Sequence, residues 1–290
     1  MTFNLDTQAP AVEQEISPKA PQDWAKIGLI LLVFAFFTVI LIVPVIYVFV
    51  GAFSNGLPGF LGTLSSREFL NALRLTLMAV AVAVPLNVIF GLCAALVLAR
   101  KSFRGRTFLL SVIDLPFSIS PVVAGLMLVS LYGRQGLLNP VLQALDLRII
   151  FAFPGIALAT ILGGMPFVAR EVIPVLEEIG DEEEEAAKTL GASSWQTFWR
   201  VTLPAIRWAL GYGIILTTAR AMGEFGSIAV VSSNLIGRTQ TLTLFVDSSY
   251  RNYDSQGAFA TAVVLAGLAA FTLVIKQLLE HLYTKRYKAE

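Results

Sequence analysis

Long apolar runs separated by short charged segments dominate the pattern of this chain. A helix that crosses the roughly 30 Å hydrocarbon core of a bilayer needs about 20 largely apolar residues. Runs of that length predict six membrane-spanning helices, at 27–53, 75–99, 107–133, 149–168, 208–231 and 257–275. The pattern therefore predicts an all-α integral membrane protein with a six-helix transmembrane domain at 27–275.

Polar segments flank this predicted domain. Residues 1–26 contain three prolines and predict a disordered tail, and 276–290 predict a basic C-terminal tail. The first apolar run is about twice as long as the apolar core of a signal peptide, which favours a retained anchor. Basic residues collect on the side of both termini and of the long loop 170–207. The positive-inside rule therefore places both termini and this loop in the cytoplasm.

Composition agrees with a membrane protein and argues against several soluble classes. The chain is 56% hydrophobic and 14% charged, whereas soluble domains carry about 25% charged residues. A net charge of +1 provides no basic field for nucleic acid. One cysteine and one histidine argue against a disulfide, a metal site or a histidine-based triad. Cys93 is expected to be a small buried side chain, and Gly91 a helix-contact position.

The loop after the fourth predicted span carries the clearest local signals. Asp181, with Glu184 three residues on, is expected to cap a short helix, and the acidic residues 182–185 lie at the positive end of its dipole. Gly191 is a natural stop for that helix because it tolerates a positive φ. The loop therefore starts with one short helix and a turn.

A second short helix is predicted directly after that turn. Ser193 and Gln196 match a capping box at its start. Leu203 and Pro204 are expected to break it before the next span begins. Three aromatic side chains fall on one face of this helix, Trp195, Phe198 and Trp199.

The order Glu-Ala-Ala, glycine and Val-Thr-Leu-Pro within this loop resembles the EAA loop of permease subunits in binding-protein-dependent ABC importers. The family pattern usually has isoleucine where this chain has Val201. The resemblance implies the type I ABC importer permease fold, with a cytoplasmic EAA coupling loop that docks on an ATPase subunit. The residues that it assigns to ATPase coupling are Glu185, Ala186, Ala187, Gly191, Val201, Leu203 and Pro204.

Further stretches resemble the sulfate/thiosulfate permeases of that family. They include TARAMGEFGSIAVVSS at 218–233, LPFSISPVVAGL at 115–126 and the run 241–262, and the resemblance covers about 25–285. It implies import of sulfate or thiosulfate across a bacterial inner membrane. Molybdate, tungstate or another oxyanion is an alternative substrate, and a secondary anion transporter is an alternative mechanism.

Two charged residues lie within the fifth predicted span, where a charge is costly. Arg220 and Glu224 are four residues apart, so they share a helical face and can form an ion pair. The alternative is that Arg220 faces the translocation pathway or a partner subunit. Gly223 and Gly226 would then allow another helix to approach closely.

Two serines in the third predicted span are a second pathway candidate. Ser118 and Ser120 lie between Pro116 and Pro121. Their hydroxyls either satisfy backbone groups in a proline kink or donate hydrogen bonds to a passing anion.

Energy for uphill import has to come from another subunit. Moving a dianion against an interior-negative potential of 100 mV costs about 4.6 kcal/mol, yet the chain has no G-x-x-x-x-G-K-[ST] phosphate loop. We therefore expect a transport subunit without its own catalytic residues, metal or cofactor, and with no nucleic-acid partner. The resemblance implies three kinds of partner: a related CysT-type permease, two CysA-type ATPase subunits that bind ATP and Mg, and a periplasmic sulfate-binding protein. This chain itself is expected to be embedded in the lipid bilayer.

Overall fold

The computed structural model describes residues 24–287, and within that range it contains helices and no strands. The helices, in chain order, are α1 (Trp24–Phe37), α2 (Val43–Ala52), α3 (Gly56–Ser65), α4 (Arg67–Arg100), α5 (Arg106–Ser118), α6 (Pro121–Tyr132), α7 (Asn139–Ala144), α8 (Phe153–Ile179), α9 (Glu182–Thr189), α10 (Ser194–Thr197), α11 (Leu203–Met222), α12 (Gly226–Val231), α13 (Leu242–Arg251) and α14 (Ser255–Tyr287). Two π-helical turns occur, at Thr38–Ile42 and Phe198–Thr202. Most of the predicted tail 1–26 lies outside the described residues.

Four helical stretches in the described range are long and apolar enough to cross a membrane. They are Lys26–Ala52, Arg67–Arg100, Phe153–Ile179 and Ser255–Ile275. A fifth candidate is the pair α5 and α6, which is bent by 109° at its break. The chain is therefore a multi-pass helical membrane protein with four such spans, or five when the bent pair counts as one.

The predicted span 208–231 is not one long helix. Helix α11 ends at Met222 and the short helix α12 starts at Gly226. The break falls at Glu224, whose buried carboxylate accepts hydrogen bonds from the backbone and hydroxyl of Ser227. These contacts turn the chain between the two helices, so this segment differs from the predicted continuous span.

Proline chemistry explains the bend between α5 and α6. Ile119 and Ser120 have ψ values of 132° and 136°. A residue before proline avoids the α region because the proline ring clashes with its backbone. Pro121 then opens α6 at a position where the missing N–H is not needed. The predicted third span is thus divided into two helices at the Ile119–Ser120 link.

The packing divides the chain between Ile46 and Tyr47 into two units. The described part of the first unit is a helical stretch that includes the π turn Thr38–Ile42, and its large apolar side chains are exposed on every face. A helix that is apolar all round requires an apolar environment such as lipid. The second unit holds the remaining helices and the buried core.

Helices α4, α8 and α11 form the centre of the second unit and approach each other closely at Val168. A Cβ added to Gly91 of α4 would lie 2.6 Å from the Cβ of Val168, and one added to Gly213 of α11 would lie 3.0 Å from its Cα. Gly91 is therefore a helix-contact position, as predicted. The prediction for Cys93 is wrong, because this side chain lies two residues further along α4 and is exposed.

The described residues bury three apolar clusters, and the third joins α4 to α13 through Phe69, Ala72, Leu242 and Phe245. Around Val168 the core continues through Leu98, Ile173, Leu176 and Ile206, where α4 and α8 end and α11 begins. At the opposite end, α12 and α13 pack on α4 and α8 through a second cluster. There the hydroxyl of Thr76 accepts a hydrogen bond from the backbone N–H of Leu242 at 2.9 Å. These clusters place the segment between α8 and α11 at one end of the second unit.

Substituting Gly91 by valine tests the close approach of α4 and α8. The added carbons would overlap with Val168, and such overpacking typically costs about 1–3 kcal/mol. We expect the Gly91→Val protein in detergent to melt at a lower temperature than the unmodified protein. Gly211→Val is the matched control, since the space around Gly211 on α11 is open. Equal melting temperatures for the two variants would contradict the packing.

Candidate functional site

The residues 182–202 form a helix–turn–helix segment between α8 and α11. Helix α9 is followed by a turn at Gly191, by α10 and by the π turn Phe198–Thr202. The first short helix and the turn are thus present where the sequence predicts them. The second helix is not short, because α10, the π turn and α11 form one continuous helical stretch over 194–222.

Gly191 makes the turn. Its φ is +87°, in the left-handed region, and its N–H donates to the carbonyl of Lys188 at 3.0 Å. The next N–H, of Ala192, donates to the carbonyl of Ala187 at 3.0 Å. These bonds satisfy carbonyls at the end of α9, and glycine adopts this φ without the strain that a Cβ would cause.

The two predicted helix caps have different outcomes. The capping box at α10 is confirmed, because Ser193 Oγ accepts from the N–H of Gln196 at 3.3 Å and Gln196 Oε1 accepts from the N–H of Ser193 at 2.9 Å. The cap predicted for Asp181 is wrong, since its side chain makes no capping hydrogen bond. Asp181 has a ψ of 4° rather than the extended backbone of a capping residue, so its side chain is not placed over α9.

The exposed surface of the segment combines apolar and acidic groups. Trp195 packs edge-on against Trp199 at 5.5 Å between ring centroids, and Phe198 contacts both. Leu190 is 89% exposed and Trp195 is 69% exposed. Apolar side chains presented together in this way are typical of a surface that binds another protein.

The other coupling candidates differ in their exposure. Glu185 and Ala186 are exposed, Ala187, Val201 and Leu203 are half-buried, and Pro204 is exposed. Pro204 does not break the helix as predicted, because the π turn continues directly into α11. The wider π turn relieves the clash between a proline ring and the preceding helical turn.

Glu184, which the sequence assigns only to the cap of α9, instead forms an ion pair with Arg100 that was not predicted. Its Oε1 accepts from Nε and Nη2 of Arg100 at 3.2 and 2.9 Å and from the hydroxyl of Thr202 at 3.0 Å. Arg100 also donates from Nη1 to the carbonyl of Leu176 at 2.6 Å. The side chains of Arg100 and Glu184 are each 14% exposed. The carboxylate therefore joins α9 to the last residue of α4 and to the π turn.

A second arginine strengthens the same end of the bundle. Arg106 pairs with Glu177 and donates from Nε to the carbonyl of Leu98 at 2.8 Å. Leu98 and Leu176 lie in the last turns of α4 and α8, where carbonyls have no partner within the helix. Arginine side chains thus cap both helix ends and neutralise two of the nearby acids.

The ion pair predicted within the fifth span is present. Arg220 Nη1 lies 2.6 Å from Glu224 Oε2, and the Glu224 side chain is only 2% exposed while that of Arg220 is 35% exposed. Glu224 Oε1 also accepts from the Ser227 hydroxyl at 2.5 Å, and the hydroxyl of Thr243 donates to the Glu224 carbonyl at 2.8 Å. The Glu224 carboxylate is thus held by Arg220 and Ser227, whereas the Arg220 guanidinium is partly exposed.

The bend between α5 and α6 lies beside this pair. Pro116, Pro121, Gly163, Arg220 and Glu224 line a cavity of about 20 Å³, which is enough for roughly one water. Ser118 and Ser120 are exposed near the bend and do not line this cavity. The structure therefore brings the two prolines, but not the two serines, next to the ion pair.

The two glycines near Glu224 differ in their surroundings. A Cβ on Gly226 would lie 2.8 Å from the Cβ of Pro121, so Gly226 permits close packing of α12 on α6. A Cβ on Gly223 would meet only the carbonyls of its own preceding turn, at 3.7 Å or more. Within the described part of this chain, therefore, no helix packs closely on Gly223, because this residue lies in the turn that follows α11.

Asp114 on α5, the single charged residue within 107–133, is also paired. Its Oδ1 lies 2.7 Å from Nε of Arg170 on α8, and the Arg170 guanidinium lies 4.6 Å from the Phe117 ring centroid. This contact links α5 to α8.

A larger cavity, of about 690 Å³, lies at the end of the bundle away from the helix–turn–helix segment. Its lining includes Tyr132, Arg134, Gln143, Asp146 and Arg148. The two exposed arginines in this lining were not singled out by the sequence analysis.

Comparison with known proteins shows the family. Residues 87–285 match the model of the family described as "Binding-protein-dependent transport system inner membrane component". The chain belongs to this family of membrane permeases.

Two relatives show which members of the family the chain resembles. The chain is 58% identical over 256 residues to the sulfate transport system permease protein CysW of Synechococcus elongatus, covering 88% of each chain. It is 39% identical over 212 residues to the sulfate transport system permease protein CysT of Escherichia coli, covering 73% of this chain and 76% of the relative.

Solved structures share the fold. A chain of a bacterial alginate ABC transporter, solved with an alginate-bound periplasmic protein, superposes with a TM-score of 0.72 at 20% identity. The match covers 89% of this chain and 93% of that one. At this identity the similarity concerns the fold alone.

Replacing Arg220 by alanine tests what the buried ion pair contributes. The substitution leaves the Glu224 carboxylate buried without its cation, which typically costs about 3–5 kcal/mol. We expect the variant to unfold at a lower temperature in detergent, and Arg220→Met combined with Glu224→Gln to recover most of the loss. An Arg220→Ala protein as stable as the unmodified one would show that the pair contributes little.

Proposed function

We propose that this chain is the membrane-spanning permease subunit of an ATP-driven ABC importer for sulfate and thiosulfate, and that it forms half of the translocation pathway. The observation that carries the proposal is the 58% identity to a CysW sulfate permease over most of both chains. Sulfate is favoured over molybdate or tungstate because the CysW and CysT relatives are both sulfate permeases. The chain would lie in a bacterial inner membrane with both termini in the cytoplasm.

The helix–turn–helix segment is proposed as the coupling loop that docks on the ATPase subunit. Its exposed Leu190 and Trp195 provide apolar area for a partner, and the exposed Glu185 adds a negative charge to the same segment. Closure of the ATPase subunits would move this segment. The six-span topology of the family is proposed with it, with α11 and α12 together acting as the fifth crossing.

The proposed assembly would supply the ATP-binding sites for which this sequence has no phosphate loop. It would comprise this subunit, a CysT-type permease, two CysA-type ATPase subunits and a periplasmic sulfate-binding protein. Similarity to both CysW and CysT relatives supports a pair of related permeases. ATP and Mg would bind at the ATPase subunits, and the complex, rather than this chain, would hydrolyse ATP.

Arg220 is proposed as a residue of the translocation pathway. Its guanidinium is held by Glu224 on one side and is 35% exposed on the other, so it can attract an oxyanion while Glu224 limits how tightly the anion is held. On this hypothesis, the Arg220→Met/Glu224→Gln protein remains stable but transports poorly.

Uptake of labelled sulfate in cells tests the proposed function. We expect a strain that lacks only this protein, and has no other sulfate importer, to lose nearly all ATP-dependent sulfate uptake and to regain it when the gene is restored. Parallel uptake of labelled molybdate and tungstate is the control for substrate. Undiminished sulfate uptake would refute the proposal, and selective loss of molybdate uptake would favour the alternative oxyanion.

Gly191→Val tests the proposed coupling role. Valine at a φ of +87° is strained, by roughly 1–2 kcal/mol or more, so α9 and α10 should lose their fixed angle. We expect the reconstituted complex to hydrolyse ATP but to import at least tenfold less sulfate per ATP. Gly191→Asn is the matched control, because asparagine tolerates the left-handed region. Normal coupling by the valine variant would contradict the assignment.

A further inference from the structure

Only one of the four consecutive glutamates in α9 faces inward. Glu182, Glu183 and Glu185 are exposed, whereas Glu184 is partly buried. Its carboxylate meets the Arg100 guanidinium through two donors of the same side chain. Both donors converge on one oxygen, Oε1, and charge-assisted hydrogen bonds of this kind to a partly buried carboxylate are among the stronger ones in proteins.

The contacts of this pair reach four separate parts of the chain. Arg100 is the last residue of α4, and it also holds the carbonyl of Leu176 in the last turn of α8 at 2.6 Å. Thr202, the last residue of the π turn before α11, donates its hydroxyl to Glu184 at 3.0 Å. One carboxylate thus connects α9 directly to α4 and α11, and through Arg100 to α8.

These three long helices are the ones that pack together at Val168 and form the centre of the bundle. Helix α9 is only eight residues long and has no buried residue of its own. A short helix without a buried apolar face cannot hold its orientation by packing alone. Its position relative to the bundle therefore depends on hydrogen bonds and ion pairs.

We propose that Glu184 is a positioning residue. Its ion pair with Arg100 connects the helix–turn–helix segment to the ends of α4, α8 and α11, so that they move together. The proposal rests on the proposed coupling role of this segment. Movement of α9 would be transmitted by Glu184 as a displacement of the three helix ends together. Glu184 itself touches neither substrate nor nucleotide.

The test uses the complete importer, with both permeases, the ATPase subunits and the binding protein, in proteoliposomes. The variants are Glu184→Gln, Arg100→Gln and the two combined. Glu183→Gln is the matched control, because it removes the same charge from an exposed neighbour on the same helix. The measured quantities are ATP hydrolysed per sulfate imported and the amount of ATPase subunit that co-purifies.

We expect Glu184→Gln to raise the ATP hydrolysed per sulfate about tenfold while ATPase subunits co-purify in unchanged amounts. The Glu183→Gln complex should stay within twofold of the unmodified complex. The combined variant should hydrolyse no more ATP per sulfate than the more affected single variant, since both substitutions remove the same ion pair.

Three results would overturn the proposal: normal coupling in Glu184→Gln, an equal defect in Glu183→Gln, or loss of co-purifying ATPase subunits, which would place Glu184 in the docking surface. Unmodified vesicles that import no sulfate would instead refute the proposed function. The two failures are therefore distinguishable.

Discussion

The arrangement of this protein depends on the close approach of α4, α8 and α11 around Val168. Glycines at positions 91 and 213 leave room for this contact, since any side chain there would separate the helices. Helices in a membrane gain little from hydrophobic exclusion, so close packing between small residues has to supply the attraction. The contact also determines which helix ends lie together, and the remaining contacts are built on that grouping.

Charged side chains in this bundle satisfy backbone groups at the ends of several helices. Arg100 and Arg106 satisfy carbonyls in the last turns of α8 and α4, and the Glu224 carboxylate starts α12 through Ser227. Backbone groups without a partner are costly where water is scarce. The same charged side chains thereby connect elements that are far apart in sequence, so stability and the transmission of movement share one set of contacts.

The sequence predicted the features that depend on local chemistry. The apolar runs located four membrane-length helices and the bent pair α5 and α6. The positive φ of Gly191 followed from its place after α9, and the capping box at Ser193 followed from its spacing. The Arg220 and Glu224 ion pair also required only helical periodicity.

Features that depend on distant residues were not predictable in this way. Arg100 and Glu184 are separated by 84 positions, and the spacing of Glu184 from Asp181 pointed to a helix cap rather than to a distant arginine. The break at Glu224 was missed because apolar residues continue on both sides of it. Asp181 failed as a cap because its backbone conformation, rather than its side-chain chemistry, decides that role.

The π turn Phe198–Thr202 has a geometric consequence for the whole helix–turn–helix segment. A π turn accommodates one more residue than the α-helical turn that it replaces, and one residue of an α-helix corresponds to about 100° of rotation. The extra residue therefore sets the angle at which the tryptophan face emerges around the axis of α11. The number of residues in this turn therefore determines, together with the side chains, the direction in which the exposed tryptophan face points.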